Sequence, residues 1–291
     1  MKKVLILGAK GNLGTQLVKV FQNNYQVLAW DREELDFLNF EKLAKKIRAE
    51  KPEIIINAVA YNNVDACEED IKELDLAYKL NRDLPKNLAQ IAVGIKAKLV
   101  HFSTDYVFGG EVDQKFYNEK DSPSPIQSYG ETKYAGEKEI ARIKVKNKNL
   151  KYFLIRTSKL FGPKGESEFA KASFFDVMLN LAKTKDQLDV VNEEWSCFTY
   201  TFDLAQATKT ILKKNYNSGI YHIVNDGAVS WYESVIELFK IQNIEIKVNP
   251  VGSDKFPRPA KRPMSSILQN TRFPKLRNYT EALAEYLKNK V

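Results

Sequence analysis

The chain has 291 residues, 44% of them hydrophobic, and its 45 Lys or Arg against 37 Asp or Glu leave a formal charge of +8. Such a length supports a large core in two lobes, and the lack of any apolar run of about 18 residues excludes a helical membrane span. Cys67 and Cys197 are far apart and exclude a disulfide framework, while His101 and His222 sit in apolar runs, so a reduced, cytoplasmic protein without a metal site is expected.

In chain order, Val4–Leu7 is a short aliphatic run that stops at a glycine, the mark of a first β-strand and not of a secretion signal. Leu13–Phe21 then shows helical periodicity, and Gln26–Trp30 is a second strand. Phe40–Ala49 is an amphipathic helix. Glu53–Asn57 is a strand apolar through its centre, as a parallel sheet buried on both faces requires. Ile71–Val93 reads as one long helix that Pro85 kinks or restarts. Lys98–Phe102 is strand, Ser128–Ile143 helix and Phe153–Arg156 strand. This alternation predicts βαβ units and therefore an α/β, Rossmann-like, doubly wound parallel sheet.

Beyond residue 157 the alternation loosens. Phe169–Lys183 reads as helix, and Gly219–Val224 as a strand returning to the sheet. Residues 1–157 with about 199–225 are expected to form one domain, and 158–198 with 226–291 a smaller C-terminal substrate lobe. Residues 240–291 carry eleven Lys or Arg against four Asp or Glu. Within them Phe256–Pro263 is a proline-stiffened loop bearing Arg258, Lys261 and Arg262. It reads either as a surface connector or as a contact for the phosphates of an acidic ligand. No nucleic-acid module accompanies the charge, so no nucleic-acid partner is expected.

Gly8-Ala9-Lys10-Gly11-Asn12-Leu13-Gly14 joins a strand to a helix. In that setting glycines permit a tight turn and close approach to a pyrophosphate, which the helix N-terminus attracts. Gly8, Lys10, Gly11, Asn12, Leu13 and Gly14 are therefore the expected cofactor loop. Asp31 ends the second strand, where a carboxylate accepts hydrogen bonds from an adenosine ribose and favours NADH. Lys10 and Arg32 are cations suited to the 2′-phosphate of NADPH, and the two cofactors stay open at this point.

Tyr129-Gly130-Glu131-Thr132-Lys133 sets a phenol and an ammonium on one helix face. A free phenol has a pKa of about 10, and a neighbouring cation pulls it toward the working pH. Ser103-Thr104-Asp105 follows the fourth strand, at the sheet end that faces the ligand crevice. Thr104 is placed to hydrogen-bond a substrate carbonyl as hydride arrives, with Tyr129 as proton donor and Ser103 as the competing hydroxyl. Together the three motifs read as a short-chain oxidoreductase.

The chain resembles the extended short-chain dehydrogenases/reductases, and more narrowly the dTDP-4-dehydrorhamnose reductase family. The glycine loop, Asn57-Ala58-Val59-Ala60-Tyr61, Ser103–Phe108, Tyr129–Glu137, Arg156-Thr157-Ser158, Thr199-Tyr200-Thr201 and Ala260-Lys261-Arg262-Pro263 carry the resemblance. It implies a catalytic set of Thr104, Tyr129 and Lys133, with Lys133 also holding the nicotinamide ribose. Cofactor contacts implied are Gly11, Asn12, Leu13, Asp31, Asp36, Phe37, Ala60, Tyr61 and Asn62. Substrate contacts are expected from Thr104, Asp105, Tyr106, Lys159 and Arg262, to a nucleotide-sugar in deoxysugar and polysaccharide biosynthesis. Tyr106 stands where related sugar-nucleotide dehydratases carry glutamate, which favours keto reduction over the sibling epimerase or dehydratase chemistry. A non-catalytic NADP-binding subunit, like the regulatory β subunit of methionine adenosyltransferase, shares the resemblance. Monomer and homodimer are both implied. The departures are Lys159 in place of a family tryptophan, a short insertion around Gly165–Phe169, and Glu194–Phe198. All three are expected in the substrate lobe, which suggests a sugar or nucleotide other than the rhamnose precursor.

Overall fold

The computed structural model describes residues 1–110, 115–214 and 216–290. Among them, six parallel strands form the main sheet: β1 (Lys3–Leu7), β2 (Gln26–Trp30), β3 (Ile54–Asn57), β4 (Lys98–Thr104), β5 (Lys151–Thr157) and β6 (Gly219–His222), in the order β2-β1-β3-β4-β5-β6. The doubly wound parallel sheet is thus the observed fold. Side chains alternate across the pleat between two apolar clusters, one on each face. Val4, Ile6, Ile54, Ile56, Val100 and Phe153 enter one; Leu5, Leu7, Ile55, Leu99 and Leu154 enter the other. The order reverses direction between β1 and β3, which opens a crevice at their carboxyl ends.

Helix Asn12–Phe21 crosses from β1 to β2 and packs against helix Thr201–Lys213, where Leu204, Ala205 and Ile211 complete its core. The run expected as one helix over Ile71–Val93 is divided. Helices Ile71–Tyr78 and Leu84–Ile95 flank a π-helical turn, Lys79–Asp83, with Pro85 in the first turn of the second, where its missing N–H costs nothing.

A second apolar cluster system, centred on Phe161, Phe175, Phe198 and Tyr286, gathers helices Phe174–Ala182, Trp231–Gln242 and Tyr279–Lys288. The first of these starts five residues later than its periodicity suggests. Ser173 and Asp176 form a capping box that fixes the start at Phe174 and leaves residues 169–173 outside the helix. Among the described residues no helix is long and apolar enough to cross a membrane.

Candidate active site

A cleft of about 680 Å³ runs along the carboxyl ends of β1 to β5. At one end lies the glycine turn. Gly8 has φ of +75°, its N–H donates to the Trp30 carbonyl at 2.9 Å, and a Cβ on Gly14 would collide with the Gly8 carbonyl. Gly11 caps helix Asn12–Phe21 without a side-chain hydrogen bond, so the first-turn N–H groups stay available to an anion. Gly8, Gly11, Asn12, Leu13 and Gly14 all line the cleft. This is a cradle of backbone donors, and glycine at position 14 lets the helix pack directly against the turn.

Asp31, Arg32, Asp36 and Phe37 line the outer wall. Both Asp31 carboxylate oxygens already accept backbone N–H groups, from Lys10 at 3.0 Å and Arg32 at 2.8 Å. The Lys10 side chain does not reach the cleft; it pairs with Glu33 and Glu34. Arg32 pairs with Glu168 at 3.2 Å and stacks 3.0 Å from the centre of the Phe169 ring. Ala60 and Asn62 line the opposite wall. Tyr61 between them turns away, its hydroxyl donating to Glu73 and its N–H to Asn81.

The segment Gly165–Phe169 reaches the glycine turn. Ser167 N–H donates to the Lys10 carbonyl at 3.0 Å, Gly165 N–H to Asn12 Oδ1 at 3.0 Å, and Asn12 Nδ2 to the Lys171 carbonyl at 2.9 Å. The segment is a strap across the glycine turn. Adjacent positions in sequence say nothing of this reach, because the strap's partners lie more than 150 residues away.

At the other end, Gln127 caps helix Ser128–Lys146 by accepting from Gly130 N–H at 2.6 Å, which points its first turns at the mouth of β4. Tyr129, Lys133 and Thr104 face the same cleft. Lys133 is 2% exposed and donates to the Phe102 carbonyl at 2.7 Å; burial pushes its pKa down to about 8, with Glu137 opposing. Burial raises the Tyr129 phenol above its ordinary range, and the neighbouring Thr104 hydroxyl opposes that. In the free cleft burial prevails over the lowering expected from Lys133, one of whose three N–H groups is held by the Phe102 carbonyl.

The rival hydroxyl, Ser103, has a carboxylate partner of its own. Ser103 donates to Glu137 at 2.6 Å, and Glu137 forms a two-point ion pair with Arg156 at 2.7 and 3.0 Å, all three side chains being buried. Ser103 thus belongs to the bracket that ties β4 and β5 to the Tyr129 helix. Asp105, 3% exposed, accepts hydroxyls from Thr104 at 3.0 Å, Ser158 at 2.7 Å and Ser266 at 2.6 Å. Burial pushes its pKa up while the three hydroxyls and Lys159 pull it down. Tyr106 sets its ring edge-on to Tyr129, centroids 6.2 Å apart. Lys159 lines this end of the cleft, as do Phe174 and Trp231. Arg262 does not line the cleft: it pairs with Asp65 at 2.8 Å, as Arg258 pairs with Glu194. The stiff basic loop is thus pinned by carboxylates of its own chain.

Several site residues escape sequence reasoning. Asn81, buried in the π-helical turn, donates to the Tyr61 carbonyl and to Thr132 Oγ1, both at 3.0 Å, and so locks the cofactor wall to the Tyr129 helix. An asparagine on the buried side of a helical run is its only signal. Ser266 reaches Asp105 across 161 positions and has none.

The comparisons with known proteins follow this geometry. The family model described as the RmlD substrate binding domain matches residues 1–291. A spore coat polysaccharide biosynthesis protein of Bacillus subtilis is 34% identical over 100% of this chain and 98% of its own. A crystal structure of a dTDP-4-dehydrorhamnose reductase from Clostridium acetobutylicum is 37% identical, covers 99% of both chains and has a TM-score of 0.89. Another, from Bacillus anthracis in complex with NADP, is 33% identical over 99% of this chain and 100% of its own, with a TM-score of 0.90.

Proposed function

The chain belongs to the dTDP-4-dehydrorhamnose reductase family, and on that premise we propose that it reduces the C4 keto group of a nucleotide-linked 4-keto-6-deoxysugar with NADH or NADPH. The observation that carries this reading is that Thr104, Tyr129 and Lys133 line the same cleft as the glycine cradle.

The cradle of Gly8, Gly11, Asn12, Leu13 and Gly14 would hold the pyrophosphate, Asp31, Arg32, Asp36 and Phe37 the adenosine, and Ala60, Asn62 and Lys133 the nicotinamide side. A reduced nicotinamide bound there supplies the hydride for the carbonyl carbon. As the carbon–oxygen double bond opens, charge gathers on the oxygen, and Tyr129 gives it the phenol proton. In the reducing direction the working form of Tyr129 is the protonated one, which its burial maintains through neutral pH. Thr104, whose hydroxyl donates to Asp105 in the free cleft, would turn that one proton to the same oxygen. The Lys133 ammonium steadies the phenolate left behind. Tyr106 and Lys159 would face the sugar; Arg262, paired with Asp65, would hold the basic loop in place. The separate apolar cores support a cofactor domain of 1–157 with about 199–225 and a substrate lobe of 158–198 with 226–291. A cytoplasmic location fits the cofactor.

The test is oxidation of NADH and NADPH with dTDP-4-keto-6-deoxyglucose or its 3,5-epimerised form, beside CDP- and GDP-linked analogues. Turnover of one of them is expected and identifies the nucleotide. Tight NAD(P)H binding with no substrate reduced would sink the proposal.

A further inference from the structure

Lys159 is the least comfortable side chain in the cleft. Its φ is +34°, in the left-handed region that residues with a Cβ seldom adopt. Its neighbours impose this: Ser158 is held by Asp105, and the Lys159 carbonyl accepts the Thr199 N–H at 3.2 Å. The side chain is thereby thrown across the sugar end, where Nζ lies 3.5 Å from the centre of the Trp231 ring and 5.2 Å from that of Phe198. There Nζ is buried and has no hydrogen-bond partner.

The charges around it do not explain it away. Asp105, Glu194, Arg258 and Cys197 are the titratable groups that act on Lys159. Asp105 is occupied by three hydroxyls, and Glu194 by the Trp231 indole N–H at 2.9 Å and by Arg258. Cys197 is a neutral thiol, its pKa pushed up to about 12 by burial. Two carboxylates against Arg258 and Lys159 leave the pocket balanced, so it does not ask for an added anion. What is unsatisfied is hydrogen bonding: a buried ammonium with three donors and an aromatic face on one side. Strain and an unpaired buried donor persist where a ligand relieves them.

We propose that Lys159 is a specificity residue whose ammonium donates to an uncharged oxygen of the sugar, other than the reacting carbonyl, and so selects sugars that carry a hydroxyl at that place. This rests on the reductase reading and adds to it the chemistry of the sugar. A site built around such a donor rejects an analogue lacking the oxygen, because the donor is then left buried and unpaired. Burial lowers the Lys159 pKa to about 7, with Glu194 and Asp105 opposing. The ammonium is therefore present below pH 7, and the contact weakens as pH rises through it.

The experiment is calorimetric titration of the native protein and Lys159→Met with dTDP-rhamnose and with dTDP alone, between pH 6 and 8.5. Methionine keeps the stem and the contact with Trp231 but has no donor, and a melting curve verifies that the variant folds. We expect Lys159→Met to bind dTDP-rhamnose at least about tenfold more weakly, to bind dTDP unchanged, and to lose the fall in affinity above pH 7. Equal affinity of both proteins for dTDP-rhamnose overturns the assignment, as does an equal loss for dTDP alone, which would put the contact on the nucleotide. If the native protein binds neither ligand nor reduces any of the nucleotide-linked keto sugars, the reductase reading itself fails.

Discussion

At the scale of single residues, the site separates two jobs that the Tyr129–Lys133 spacing alone runs together. The phenol is kept protonated by burial, with the Thr104 hydroxyl opposing, whereas the ammonium gives one N–H to the Phe102 carbonyl and keeps two for a ribose and a phenolate. Tyr129→Phe should cut kcat by about 10²- to 10⁴-fold while the dissociation constant of NADPH, followed by fluorescence, barely moves. A surviving kcat would mean that another group gives the proton. Lys133 has the opposite pH sense: its charge is present below about 8 and lost above it. The rate of keto reduction should accordingly fall by about tenfold per unit above that pH, with slope one on a logarithmic plot. Thr104 was legible because a hydroxyl at the end of a strand in this fold faces the crevice. That the Ser103 hydroxyl is engaged by Glu137 was not legible, since this partner lies 34 residues on.

At the scale of elements, hydrophobic period and caps account for most of the boundaries. Strand Gln26–Trp30 falls where its residues predict, and the π-helical turn at Lys79–Asp83 does not, because a helix and a one-residue bulge share one apolar pattern. The strap over the glycine turn reaches past the lobe in which the sequence places it. A Cβ on Gly165 would collide with the Lys10 carbonyl and crowd Gly11. Gly165→Ala should therefore displace the strap and raise the KM for NADH and NADPH together, with a smaller change in the KM for the sugar. Glu168→Gln tests the outer end. It frees Arg32 for a 2′-phosphate, so the ratio of kcat/KM for NADPH over NADH should rise by about three- to tenfold. An unchanged ratio would show that Arg32 does not meet the ribose.

At the scale of the whole molecule, the bracket of Ser103, Glu137 and Arg156 joins the sheet to the helix that carries the chemistry. Arg156 is 2% and Glu137 4% exposed. Arg156→Met leaves the carboxylate buried and unpaired, and should lower stability by about 3–5 kcal/mol in a denaturant titration; the paired change with Glu137→Gln should recover part of it. His222 gives a pH signature. Burial, with Arg156 beside it, holds the imidazole down to about 4 in the fold. The unfolded chain, with histidine near its ordinary value of about 6.5, binds more protons between these limits. Its contribution to stability is thus complete above about pH 6.5 and lost as pH falls toward 4, at a slope of up to about 1.4 kcal/mol per unit. His222→Gln should flatten that slope in melts from pH 7 to 4.

What the sequence determined by itself was whatever depends on near neighbours along the chain. Strand and helix periods, the glycine turn, and Tyr129 one helical turn from Lys133 are written in local spacing, because backbone geometry alone converts such spacing into a shared face. What only the tertiary structure decided was every pairing that closes a charge or a hydrogen bond over long distance. Ser266 on Asp105, Asn81 on Thr132, Glu168 on Arg32, Asp65 on Arg262 and Trp231 over Lys159 are of this kind. A buried or paired polar group takes its meaning from the partner that replaces water, and that partner is named only when distant segments meet.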